Sequence, residues 1–184
     1  MADLGPVGLR LLLEAEMLFR VMLAGLFSAA LGWERERAGK PAGFRTHIIV
    51  GMAAALFVIT GIMTVEEQLL SGATMNLDPT RTIHAIAVGI GFLGGGVVFV
   101  SRKTDRVEGL TTAASVWATA GVGAATGYGL YLLATGTTVL LLIVLRKLVH
   151  LDVSSDALED RHGRGSGPPD AVGQGHGGPG RRDE

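Results

Sequence analysis

The chain has 184 residues, 28 of them glycine and none cysteine, and its formal net charge is −1. That length suits one domain with a tail; the near-neutral charge gives no electrostatic ground for binding nucleic acid, and the lack of cysteine excludes disulfide frameworks, zinc fingers and iron–sulfur centres. Hydrophobic residues make up 48% of the chain, which fits a soluble helical protein as well as a membrane one, so the placement of charge has to decide.

Residues 1–16, MADLGPVGLRLLLEAE, form a mixed N-terminal segment in which Glu14 and Glu16, followed by Arg20, interrupt the apolar stretch. A secretory signal carries positive charge before a short apolar core, so this segment is expected to be retained despite Ser28-Ala29-Ala30 downstream. Glu16 and Arg20 stand at i,i+4 with the acid first, the favourable order for a helical ion pair. A first membrane span is expected from about Met17 to Trp33, with Arg20 snorkelling to an interface.

The run from Glu34 to His47 holds basic residues around a Gly39-Lys40-Pro41 break and reads as a tight interfacial loop. A second span is expected over Ile48 to about Met63. The segment 64–81 is acidic, with Glu66, Glu67 and Asp78. Asp78-Pro79 reads as an N-cap and first helical residue, and Arg81 and His84 follow one turn apart.

Thr82 to Val100, TIHAIAVGIGFLGGGVVFV, contains no Asp, Glu, Lys or Arg. An uncharged apolar run of about 18 or more residues reads as a membrane-spanning helix. Gly89, Gly91, Gly94 and Gly95 are poor helix formers in water but permit close helix approach in a bilayer, and Ala85/Gly89 and Gly91/Gly95 give small-xxx-small spacing. The segment is therefore expected to be the buried central helix of a bundle. Gly89-x-Gly91-x-x-Gly94 also matches a dinucleotide fingerprint, but no strand or turn precedes it, and the nucleotide reading fails on that context.

After the basic loop 101–109, Leu110 to Thr126 is rich in Ala, Thr, Ser and Gly, a weak span alone and a good one inside a bundle. Its Gly121/Ala125 and Gly123/Gly127 pairs predict close packing, and Thr111, Ser115 and Thr119 share one face as a polar stripe. That stripe serves either interhelical hydrogen bonding or a wet path. Gly127-Tyr128-Gly129 supplies a turn, Leu130 to Leu145 the last span. Residues 151–184, rich in Gly and Pro, are expected to form a disordered tail, with His162 and His176 as solvated tail residues.

The fold expected is thus all-α, a polytopic transmembrane helix bundle of about five spans over residues 17–150. Lys and Arg concentrate beside one set of loops, so the positive-inside rule puts those loops and the C-terminal tail in the cytoplasm and the N-terminus and loop 64–81 outside. Trp33 and Trp117 are expected toward the inner face, Tyr128 and Tyr131 toward the outer.

Among the charges, Glu34 is expected to point into the bundle and pair with Arg45 or Arg102, since two acids at i,i+2 such as Glu34 and Glu36 do not share a helix face. No carboxylate lies near the middle of a span, so a magnesium site of the usual oxygen-ligand kind has no evident residues. No Walker A, HExxH or GxSxG motif is present, and no enzymatic activity is expected.

Three stretches together resemble the MgtC/SapB family of bacterial inner-membrane proteins: Gly32-Trp33-Glu34-Arg35-Glu36-Arg37 with Lys40-Pro41-Ala42-Gly43-Phe44-Arg45-Thr46-His47; Asp78-Pro79-x-Arg81 leading to Gly89-Ile90-Gly91-Phe92-Leu93-Gly94-Gly95-Gly96; and Glu108-Gly109-Leu110-Thr111-Thr112-Ala113-Ala114-Ser115-Val116-Trp117. Phe44 stands where the family usually has Leu, and Gly95 where it often has Ala. The resemblance implies a multi-pass inner-membrane protein linked to magnesium homeostasis, with no cofactor beyond Mg2+ as a ligand or substrate. It also implies action through other membrane proteins, a membrane ATPase among them; the alternative reading is a magnesium transporter or channel, a homo-oligomer using the Gly-rich third span and the Thr stripe. Many members continue into a folded cytosolic domain where this chain has its Gly/Pro-rich tail. The matching polar positions are Glu34, Arg35, Glu36, Arg45, Thr46, Arg81, Thr111 and Thr112, and Glu34, Arg45 and Thr111-Thr112 are expected to form one polar cluster at the cytoplasmic helix ends.

Overall fold

In the computed structural model the described residues are 6–71, 80–100 and 107–146. The chain divides into two units, Met1–Lys147 and Leu148–Glu184, and every described residue belongs to the first. The expected Asp78-Pro79 cap, most of the basic loop with Arg102, and the tail with His162 and His176 lie outside the described residues.

The fold is all-α. Five helices occur among the described residues: α1 (Pro6–Arg37), α2 (Phe44–Leu70), α3 (Thr80–Val97), α4 (Leu110–Gly127) and α5 (Tyr131–Arg146). One small departure is a two-residue antiparallel pair between α3 and α4, β1 (Phe99–Val100) with β2 (Val107–Glu108), in which Phe99 faces Glu108. By length and composition, α2 alone among the described helices is long and apolar enough to cross a membrane; α5 is apolar but shorter. α1 carries more charge than α2, and α3 and α4, though 18 residues long, are diluted by Gly, Thr and other polar residues.

Local chemistry sets the helix ends. α1 runs through Arg35 and Arg37, cations that complement the negative end of its dipole. Gly43 gives α2 no capping side chain, and the Glu36 carboxylate takes that role, accepting the Phe44 N–H at 2.8 Å. Gly109, at φ 89°, opens α4; a Cβ there would collide with the Val97 carbonyl, so the position demands glycine twice over. At the far end of α4 the Tyr128 and Gly129 N–H groups bond back to Ala124 and Thr126, and the chain turns into α5.

The packing differs from the sequence expectation in one major respect. α3 is not the central helix: Gly94 is its one buried residue, resting on Ala113, while a Cβ added to Gly89, Gly91 or Gly95 would meet nothing within 4 Å among the described residues. The centre belongs to α2 and α4. A Cβ on Gly123 would stand 2.8 Å from the Gly51 Cα, and one on Gly127 would stand 2.8 Å from the Ala55 carbonyl oxygen. α1 closes the other side of α2, with Gly32 against Phe44 and Ser28 against Gly51. Gly121, expected to pack, faces open space.

The polarity differs from that of an ordinary water-soluble core. Many buried positions are small or polar, Ala24, Ala54, Ala55, Ala120, Ala134, Ser28, Thr119, Thr126 and the fully enclosed His47 and Arg35, beside a few aliphatic ones such as Leu31, Val58 and Val122. Large apolar side chains point outward, with Phe92 84% and Leu132 89% exposed.

Candidate functional site

Four of the buried polar groups, Arg35, His47, Thr112 and Ser115, lie toward the end of the bundle where α1 and α5 finish and α2 and α4 begin. Arg35 is fully enclosed there. Its Nη2 donates to the Leu145 carbonyl at 3.3 Å and stands 3.9 Å from Glu34 Oε1, while Nε and Nη1 find no partner among the described residues. Leu145 is in the last turn of α5, so the guanidinium sits against the negative end of that helix dipole as well as in the last turn of its own helix. Enclosing an ion costs several kcal/mol unless it is paired and hydrogen-bonded, and here one carboxylate and one carbonyl provide the compensation.

Glu34 links this buried cation to a second one. Its Oε2 accepts from Arg146 Nε at 3.0 Å, with the Glu34 side chain 15% exposed and Arg146 63%. The partner foreseen from sequence is corrected accordingly: Arg45 is exposed, makes no ion pair among the described residues, and is replaced by Arg146 from α5. Thr46 is exposed too.

The second acid of the motif has a separate task. Glu36 reaches forward across the 38–43 link and caps α2, as described above. Trp33 meets Phe44 edge-on with ring centres 6.0 Å apart, and the Arg37 guanidinium lies 6.0 Å from the Trp33 ring centre.

Deeper in the bundle, His47 joins α2 to α4. Its Nδ1 lies 2.9 Å from the Gly43 carbonyl oxygen and its Nε2 3.3 Å from Ser115 Oγ. A carbonyl only accepts, so Nδ1 carries a proton. Ser115 owns a single hydroxyl proton and can give it to Nε2 or to the Thr112 carbonyl at 2.8 Å, but not to both. Neutral His47 therefore draws the Ser115 proton to Nε2, whereas a doubly protonated ring turns it to Thr112. Thr119 donates to the Ser115 carbonyl, and Thr126 to Val122, so much of the buried stripe satisfies itself along its own helix. Ser28 Oγ is buried against Gly51 without a hydrogen-bond partner among the described residues.

The sequence-derived cluster is thus assembled in part. Glu34 and Arg35 come together at the helix ends, with Thr112 buried in the same bundle; Thr111 is exposed, and the buried stripe reads Thr112, Ser115, Thr119. Arg81 lies at the opposite end, exposed, on the first turn of α3. His47, Ser28 and Arg146 were absent from the expected site. For His47 and Ser28 a signal existed: each sits on the helix face that carries Gly51 or Ala24, four residues away. No local signal ties Arg146 to Glu34, 112 positions earlier. Among the described residues no group of three or more His, Asp or Glu stands close enough to hold a metal ion.

Residues 21–153 match the MgtC family. Over 133 residues the chain is 39% identical to "Putative magnesium transporter YhiD" of Escherichia coli (strain K12), covering 72% of this chain and 60% of that protein. It is 42% identical over 133 residues to "Protein SrpB" of Synechococcus elongatus, covering 69% and 71% respectively. It is 33% identical over 147 residues to "Protein MgtC" of Salmonella typhi, covering 76% and 58%. The chain spans about three fifths of the length of YhiD and MgtC. No solved structure matches it. The match begins within α1 and continues past the end of α5, taking in the Glu34–Arg35–Arg146 cluster and the His47–Ser115 bond: the chain belongs to the MgtC family.

Proposed function

We propose that this protein is a multi-pass inner-membrane protein of the MgtC/SapB type that acts as an accessory or regulatory factor in magnesium homeostasis, through contacts with other membrane proteins and without catalysis of its own. The apolar exterior carries the membrane part of this reading: large apolar side chains face outward on all five helices, while small and polar ones make up much of the interior. In water such a surface would drive association; in lipid tails it costs nothing. α3 and α4 each rise about 27 Å, close to the roughly 30 Å hydrocarbon thickness. Arg35, Arg37, Lys40, Arg45 and Arg146 gather at one end, which the positive-inside rule assigns to the cytoplasm.

The regulatory part is supported by a filled middle and an unfilled side. Backbone contact between α2 and α4 occupies the bundle centre, whereas Gly91 and Gly95 of α3 present bare backbone outward, where a helix of a membrane ATPase or of a second copy can approach closely. The link to magnesium comes from the name of the YhiD relative.

A transporter is the second reading, favoured by the buried run of Ser28, His47, Ser115 and Thr119. Purified protein in liposomes with a trapped magnesium dye separates the two. No uptake above empty vesicles, together with co-purification of a membrane ATPase, is expected. Uptake abolished by Glu34→Gln would overturn the regulatory reading in favour of transport.

A further inference from the structure

α3 packs chiefly on α4 and barely touches α2, which leaves an open groove between α2 and α3. At the end where α2 finishes and α3 begins, the groove widens to a cavity of about 510 Å³ bordered by Thr60, Thr64, Thr82 and Arg81. It continues downward as a cavity of about 270 Å³ lined almost wholly by apolar groups, Ile49, Phe57, Ile90 and Leu93 among them. Phe57, Ala85 and Ile86 border both cavities, so the two form one continuous channel along the outside of the bundle.

We propose that this groove holds one anionic glycerophospholipid, its phosphate on Arg81 and one acyl chain lying down the α2–α3 seam. The proposal rests on the membrane reading above and adds a specific lipid site to it. Three observations converge on that occupant. First, the wide end carries one cation, Arg81, and no acid in its own lining. Arg81 makes no ion pair among the described residues; the nearby acid Glu66 lines an adjoining cavity that shares Gly61 and Thr82 with this one, so the phosphate seats on the Arg81 side. A phosphate is the natural complement of a guanidinium in that setting. Thr60 and Thr64 spend their hydroxyl protons on carbonyls of their own helix, so Arg81 is the principal donor at this end.

Second, the length fits. From Arg81 to Leu93 the α3 axis rises about 18 Å, and half of a bilayer's hydrocarbon core is about 15 Å. Arg81, on the first turn of α3, is therefore at headgroup level when Leu93 is near the midplane. Third, the cavity falls from about 510 Å³ at the polar end to about 270 Å³ at the apolar end, with the polar lining at the wide end, which matches a headgroup above an acyl chain.

The test is native mass spectrometry of the full chain in mild detergent, titrated with phosphatidylglycerol, with diacylglycerol of the same chains, and with inorganic phosphate. One phosphatidylglycerol is expected to bind saturably, with diacylglycerol weaker by about tenfold, the worth of one charge-assisted hydrogen bond. Arg81→Ala should weaken phosphatidylglycerol by a similar factor and Arg81→Lys by much less. Ala85→Trp, which fills the groove and leaves Arg81 in place, should abolish the saturable adduct while circular dichroism stays unchanged. Equal binding of diacylglycerol, indifference to Ala85→Trp, or full displacement by inorganic phosphate would overturn the proposal. Release of the protein from cell membranes by alkaline carbonate would instead sink the membrane reading itself, so the two failures are distinct.

Discussion

Gly123 of α4 lies so near Gly51 of α2 that a side-chain carbon on Gly123 would meet the backbone of its neighbour at Cα, carbonyl carbon and carbonyl oxygen together. Backbone cannot step aside as a flexible side chain can. Gly123→Ala is therefore expected to destabilise the bundle by about 1–3 kcal/mol, the usual cost of overpacking. Gly121→Ala, which meets nothing within 4 Å, should be neutral or slightly stabilising because alanine is the better helix former. Thermal unfolding of both variants in the same detergent checks the contrast.

The Glu34 cluster predicts an asymmetry. Arg146→Ala removes a largely exposed partner and should cost less than about 1 kcal/mol. Glu34→Gln strips the carboxylate from an enclosed guanidinium and should cost about 3 kcal/mol. Adding Arg35→Met to Glu34→Gln should restore part of that loss. Arg45→Ala combined with Glu34→Gln should be additive to within about 0.5 kcal/mol, since the two residues share no ion pair. Denaturation midpoints of the single and double variants give the cycle.

The His47 bridge predicts a definite tautomer. With Nδ1 donating to the Gly43 carbonyl, the neutral ring keeps its proton on Nδ1, and nitrogen NMR of labelled histidine should show Nε2 unprotonated. Ser115→Ala should cost about 1–3 kcal/mol by leaving Nε2 buried without a donor.

Glu36 acts as the cap that Gly43 lacks. Glu36→Ala is expected to lower stability by about 0.5–2 kcal/mol, within the range for a lost N-cap. Glu36→Gln should lose less, because the amide oxygen still accepts the Phe44 N–H. Amide exchange of the first turn of α2 reads this directly: faster in the alanine variant, nearly unchanged in the glutamine one.

Helix existence was legible because its signals are local. The Gly39-Lys40-Pro41 break and the Gly127-Tyr128-Gly129 turn mark real ends of helices, and the Glu16–Arg20 pair forms as its i,i+4 spacing requires. Which faces meet was legible only in part. Glycine abundance drew attention to α3, yet the closest helix approach falls to Gly51 of α2 with Gly123 and Gly127 of α4, of which the spacing pointed to the last two. Spacing says which residues share a face and is silent about which helix that face finds. Thr111 and Thr112 show the same limit: adjacent on the helix they point about 100° apart, one outward and one inward.

The short link 38–43 and its Glu36 clasp also bear on how a newborn chain comes together. α1 and α2 are sequence neighbours that bond across eight positions, so their hairpin can close before the rest exists. His47 and Gly51 then wait, uncovered, for partners some seventy residues downstream at Ser115 and Gly123. Until α4 arrives, a polar ring and a strip of naked main chain face outward on the early hairpin. That interval is when the nascent protein is most open to capture by a chaperone, a protease or the wrong helix.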